Sequence, residues 1–227
     1  MWVKTFIWRM RNNLSRGVSI RTSFLVALKE SIGVLGKMPA FLESPKFLFF
    51  HLDSYKDVYR LGAFEKEPET TEWMKKSKPG EVLYDIGASN GVYAFLAAVH
   101  GAAVYAFESD PKVYGMLSKN ISVNSLGSTV VPFPISLGEV TDKDTIRLDD
   151  AVRIFGFDKA QKMKIDVDGD EVKVLKGARE TLQTVRSLFI EIDDKNKEEC
   201  FQLLARFTLK FQTNKRAGKP NMYLFEK

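Results

Sequence analysis

Cysteine is nearly absent from this chain of 227 residues: Cys200 stands alone. No internal disulfide can form, and such scarcity fits a reducing compartment. With His51 and His100 as its only histidines, the chain has too few soft ligands for a zinc site of thiolates and imidazoles. No apolar run comes near the ~20 residues of a membrane-spanning helix. The opening residues MWVKTFIWRMRNN mix basic with apolar positions, so they lack the charged-then-apolar order of a secretory signal. The expected location is the cytoplasm. The dinucleotide fingerprint G-x-G-x-x-G is missing too, which disfavours a nicotinamide dehydrogenase. So is an Asn/Asp-Pro-Pro-aromatic motif of the kind that base-methylating enzymes carry.

What is present is an ordinary apolar content of 44%, enough for one large domain with a short extension. The expected division is an N-terminal extension over 1–45 and a globular domain over 46–227. The net charge of +5 is uneven: residues 1–40 carry seven Lys or Arg against Glu30, which leaves the remaining 187 residues at −1. Trp2, Phe6, Ile7, Met10 and Leu14 could share one helical face there. The favoured reading is a solvated helix packed through its apolar stripe. The other is peripheral contact with an anionic membrane, or with a phosphate-rich partner such as RNA. DNA is not an expected partner.

The stretch around which the chain is organised is VLYDIGASNG, residues 82–91. It reads as a strand, a glycine loop and the start of the helix VYAFLAAV, an arrangement that turns backbone N–H groups and a helix N-terminus toward a ligand. Gly87 fits a tight turn, and Gly91 a close approach of helix and strand. The pattern is D-x-G-x-x-x-G. Asp85 would repel a pyrophosphate but suits a ligand with an ammonium group, such as the methionine end of S-adenosylmethionine. A plain strand-to-helix turn is the structural alternative.

A second strand over Val104–Phe107 ends in Glu108, 21 residues after Gly87, where a ribose diol is gripped in related folds. A third strand over Thr129–Ile135 holds Pro132 and Pro134, which places it at a sheet edge and gives the strand order 3-2-1-4-5. The fourth strand, Met163–Val167, puts Lys164, Asp166 and Asp168 on one face of an element that should be apolar on both. A helix is expected over Asp170–Leu182, a fifth strand over Ser187–Ile192, a helix in KNKEECFQLLARF, and two terminal strands flanking Gly218 and Pro220.

Together, DIGASNG, AFESDP, KIDVDGDEVKVLKGA and FIEID resemble the FkbM family of S-adenosylmethionine-dependent methyltransferases, with LGAFEKEPET and LDD in support. The resemblance implies the α/β class I methyltransferase fold: a Rossmann-like, seven-stranded, mostly parallel sheet with a reversed last strand and helices on both faces. It implies S-adenosyl-L-methionine as donor and a hydroxyl of a sugar, glycan or small metabolite as acceptor. Its donor site falls on Asp85, Gly87, Ala88, Ser89, Asn90 and Gly91, on Glu108 and Ser109 for the ribose, and near Ser136 for the adenine, although SLGEVTDKD departs from the family's pattern. Asp166 and Asp168 are the candidate bases, with Lys164 beside them. Asp166, Glu191 and Asp193 also offer oxygen ligands to Mg²⁺, a minority reading, since strand-end carboxylates more often bond backbone N–H groups or a cofactor. A non-catalytic donor-binding module and an RNA methyltransferase using the basic arm are the competing functions.

Overall fold

The structure, a computed structural model, describes residues 37–40, 48–51, 66–213 and 220–227. The amphipathic reading of Trp2 to Leu14 and the turn at Gly218 lie outside the described residues. A short antiparallel pair, β1 (Lys37–Ala40) and β2 (Leu48–His51), joins residues on either side of the boundary expected at residue 45. Helix α1 (Pro68–Lys75) opens on Pro68, whose missing N–H costs nothing at a first helical position, and closes on Lys75 at the negative end of its dipole.

The main sheet follows. Its elements are β3 (Val82–Ile86), α2 (Val92–Val99), β4 (Ala103–Phe107), α3 (Pro111–Val123), β5 (Val130–Phe133), α4 (Leu148–Phe155) and β6 (Lys162–Ile165). Next come α5 (Glu171–Gly177), α6 (Thr181–Thr184), β7 (Ser187–Ile192), α7 (Lys197–Leu203), β8 (Thr208–Gln212) and β9 (Asn221–Glu226). The strand order is β5-β4-β3-β6-β7-β9-β8, with β3 to β7 parallel and β9 antiparallel to both its neighbours. This is the seven-stranded sheet with a reversed last strand, and β5, with Pro132 paired to Ala106, is outermost.

Alternation along the strands divides the core in two. Leu83, Phe95, Leu96, Leu117, Val130 and Phe189 pack on the face covered by α1, α2 and α3. Tyr84, Ile86, Met163, Ile165, Leu188 and Ile190 pack on the other, under α4 to α7. Each large side chain so buried contributes roughly 1.5–3 kcal/mol. Asp85 and Lys164 fall on the first face, directly opposite each other in the register of β3 and β6.

One expected element is divided. The helix foreseen over Asp170–Leu182 stops at Gly177, where a Cβ would lie 2.0 Å from the Gly138 carbonyl oxygen. A second helix starts at Thr181 because the buried Asp149 carboxylate accepts the N–H groups of Glu180 and Thr181 at 3.0 and 2.8 Å.

Candidate active site

The loop between β3 and α2 is clamped from the end of β4. The N–H groups of Gly87 and Ala88 both donate to the Phe107 carbonyl at 3.0 Å, and that of Ser89 to Glu108 Oε2 at 2.9 Å. These three N–H groups, expected to face a ligand, are therefore used inside the fold. The first-turn N–H groups of α2 have no acceptor within the helix and are the loop's remaining candidate donors to a ligand. Ser89 and Gly91 adopt left-handed backbone conformations, with φ of 54° and 95°.

Gly87 is required for the tight turn the sequence suggested, and Gly91 for a different close approach from the one expected. At Gly87 (φ 79°) a Cβ would stand 1.9 Å from the backbone oxygen of Asp166, so the chain just past the end of β6 excludes a side chain. At Gly91 a Cβ would meet the Phe95 ring at 2.6 Å and Leu117 at 2.8 Å, so the close approach is between α2 and α3 rather than with the strand.

Glu108 accepts from Ser89 and also, through Oε1, from the Asp110 N–H at 2.9 Å. It does not cap α3: Asp110 does, accepting from Lys112 and Val113. Glu108 is thus left to brace the loop and present its carboxylate at the strand end. Ser109 is exposed beside it. Ser136 is half-buried past the end of β5, where its carbonyl accepts the Ile146 N–H at 3.0 Å.

At the C-terminal end of β6 lies the charged centre of the molecule. Lys164, 1% exposed, sets its ammonium 2.9 Å from Asp166 Oδ2 and 3.5 Å from Asp85 Oδ1. Burial works against that charge, but Asp166 and Asp85 outweigh it and hold the ammonium well above the usual lysine range. Asp85 is equally buried, and neither of its oxygens has a hydrogen-bond partner. Burial pushes its carboxyl up, and Lys164 opposes the shift. The Asp166 side chain is 34% exposed and opens outward. The expected face of three charges ends early: β6 stops at Ile165, the alternation lapses, and Asp168 is exposed. No side chain caps the start of α5, and Glu171 instead reaches back to accept the Gly169 N–H at 3.1 Å.

Two further carboxyls meet here. Burial pushes Glu191, near the end of β7, up to about 9, and its hydrogen bond to Asp166 adds to the shift. Asp193 turns to Lys195 at 3.6 Å, and among the described residues no group of three or more His, Cys, Asp or Glu is placed to hold a metal ion. Glu67, just before α1, accepts from the Tyr93 hydroxyl at 2.8 Å. Burial raises its carboxyl, and repulsion from Asp166 adds to this. Glu67 and Tyr93 were not foreseen as site residues. The one available signal was a tyrosine in the second position of the otherwise apolar helix VYAFLAAV, behind the glycine loop.

The Glu191 assignment has a measurable consequence. A carboxyl with a higher pKa in the folded than the unfolded chain binds its proton more tightly when folded. Stability therefore falls as pH rises from about 4.5 toward about 9. Glu191→Gln keeps the shape of the protonated acid. Solvent screening limits the gain to about 1 kcal/mol, or about 2–4 °C in Tm near pH 8, and the gain vanishes below pH 4.5. A variant that melts with or below the wild type near pH 8 would refute the protonated Glu191.

The TRM5/TYW2 methyltransferase domain matches residues 49–167, from β2 through the glycine loop and Glu108 to the end of β6. A hexuronic acid methyltransferase, AglP, of Haloferax volcanii is 27% identical over 167 residues, 63% of this chain and 69% of that protein. Among solved structures, magnesium protoporphyrin IX methyltransferase from Synechocystis, with S-adenosylmethionine bound, aligns with a TM-score of 0.54 at 14% identity. That alignment covers 78% of this chain and 85% of the other. A methyltransferase from Agrobacterium tumefaciens aligns with a TM-score of 0.56 at 10% identity, over 85% and 71% of the two chains.

Proposed function

Because the chain belongs to the TRM5/TYW2 methyltransferase domain family, we propose that it moves a methyl group from S-adenosylmethionine to a hydroxyl oxygen of a sugar, glycan or small metabolite. The observation that carries this reading is Asp166, a part-open carboxylate at the end of β6 held by a buried lysine. The donor, when bound, supplies an electrophilic methyl on a sulfonium centre. What the protein must add is alignment of the acceptor, exclusion of water and removal of its proton.

The residues present fit that donor. The buried Ser89 Oγ, Asn90 Nδ2 and both Asp85 oxygens lack hydrogen-bond partners around the loop. Glu108 offers its carboxylate to a ribose, Ser109 flanks it, and Ser136 lies beyond β5 on the adenine side. Asp85 and Asp166 flank Lys164, so the carboxylates outnumber the cation, and this suits a donor with net positive charge. Asp166 takes the acceptor's hydroxyl proton. Lys164, buried beneath it, orients and charges that carboxylate without reaching the acceptor. Asp168, exposed a short way along the loop, is the second candidate base.

The finer placement in the FkbM family rests on DIGASNG, AFESDP, KIDVDGDEVKVLKGA and FIEID. The Haloferax relative, named for a hexuronic acid, supports a sugar acceptor. No described helix is long and apolar enough to cross a membrane. A cytoplasmic location, with residues 1–40 resting on anionic lipid, is the reading their charge supports.

The test is donor binding. S-adenosylmethionine or S-adenosylhomocysteine is expected to raise the melting temperature, and labelled donor to mark an acceptor in a glycan and metabolite extract. Glu108→Ala should weaken donor binding by about 1–3 kcal/mol, the worth of charge-assisted bonds to the ribose and of the brace on Ser89. A wild type that binds neither compound in calorimetry refutes the proposal, and wild-type affinity in Glu108→Ala removes Glu108 from the site.

A further inference from the structure

Asn120, fully buried on α3, joins two parts of the molecule that are far apart in sequence. Its Nδ2 donates to the Asn90 carbonyl in the glycine loop at 3.0 Å. Its Oδ1 accepts the His51 N–H of β2 at 2.7 Å. One turn on, Asn124 Oδ1 accepts the Phe49 N–H at 2.7 Å, and Asn124 Nδ2 donates to the Phe49 carbonyl at 2.7 Å. The two spacings match: four residues of helix rise about 6 Å and two residues of strand about 6.8 Å. Two asparagines on one helical face thus stand in for a neighbouring strand along β2. Backbone groups of β2 that β1 does not use acquire partners in this way.

The bond to Asn90 bears on the donor loop. The Asn90–Gly91 peptide is held at both ends, its N–H donating to the Ala88 carbonyl at 3.0 Å and its carbonyl accepting from Asn120. It lies between Ser89 and Gly91, both left-handed, in a turn that its surroundings must hold in place. The hairpin meets the same unit a second time, where the buried Phe50 ring stacks on Phe95 of α2 with centroids 5.5 Å apart.

We propose that Asn120 is a positioning residue for the donor loop, and that through it docking of the hairpin β1–β2 and binding of the donor reinforce each other. This rests on the donor site assigned above. The coupling is reciprocal: a docked hairpin fixes the Asn120 amide and with it the loop, and an occupied loop holds the amide in place for His51. The N-terminal segment is then part of the donor site's support rather than a tether alone.

Asn120→Asp keeps an acceptor for the His51 N–H but removes the donor to the Asn90 carbonyl. Asn124→Asp makes the same change one turn away, keeping the acceptor for Phe49. S-adenosylhomocysteine affinity, measured by calorimetry on the full chain, is expected to fall about tenfold in the first variant, the loss of one such bond, and to change less than about twofold in the second. In the wild type, the same ligand is expected to slow backbone hydrogen exchange at residues 48–51. Equal affinities in the two variants overturn the proposal. So does unaltered exchange at 48–51 with ligand bound, which decides the matter even where Asn120→Asp fails to fold. A wild type that binds no S-adenosylhomocysteine is a different failure, that of the donor site itself.

Discussion

Asp166→Asn is expected to lower turnover roughly 10²-fold or more, the usual loss on removing a general base, while donor affinity and melting temperature stay close to the wild type. The substitution keeps the shape of the side chain. Its stability cost is small because Asp166 is 34% exposed and the ammonium it leaves still faces Asp85. Asn also keeps an oxygen acceptor for Lys164, so the centre stays assembled but cannot take a proton. The decisive measurement pairs a denaturant melt with a turnover assay on one preparation. A large stability loss, with activity in proportion to the folded fraction, would make Asp166 structural and move the base to Asp168.

Lys164→Met should do the opposite, costing about 3–5 kcal/mol of stability, because it strands a charge that had one buried partner. Asp85 is 1% exposed and accepts no hydrogen bond, so Lys164 is what offsets its burial. Without it the carboxylate must stay charged in apolar surroundings or bind a proton, and the cost should grow with pH. Adding Asp85→Asn should recover part of the loss, with a coupling of at least about 1 kcal/mol in the double-mutant cycle. Wild-type stability in the single variant, or strict additivity in the double one, would show that the pair does not hold the strands together. The two experiments separate two neighbours. Asp166 acts on the acceptor, and Lys164 supports it from below.

Much of this site was legible because it follows period-two logic in strands whose limits the sequence marks well. Val82 to Ile86 and the turn after it were visible from composition, and the prolines at 132 and 134 placed β5 at the edge. What failed did so where the alternation ends. Asp168 was assigned to the face of Lys164 by counting in twos beyond Ile165, where the strand had already finished. Glu67 lies in LGAFEKEPET, a stretch noted for its resemblance, but nothing local assigned it to the site. Only the packing of α1 against α2 brings it to Tyr93, 26 residues away. The turn at Gly87 was legible but its close neighbour was not, since that is a backbone oxygen of Asp166, just past the end of β6. Loop glycines report that space is scarce, not what fills it.

The margins of the main sheet have a consequence for self-association. An unpaired strand edge is a template on which another chain can add by hydrogen bonding. At one margin β5 carries Pro132, which has no N–H to give to an incoming strand. At the opposite margin β8 is irregular, with a bulge between Leu209 and Phe211 that breaks the even spacing a new strand would need. Neither flank presents a straight, fully donating ladder. Folded copies meeting at high concentration therefore find no regular ladder to extend along either described flank of the sheet.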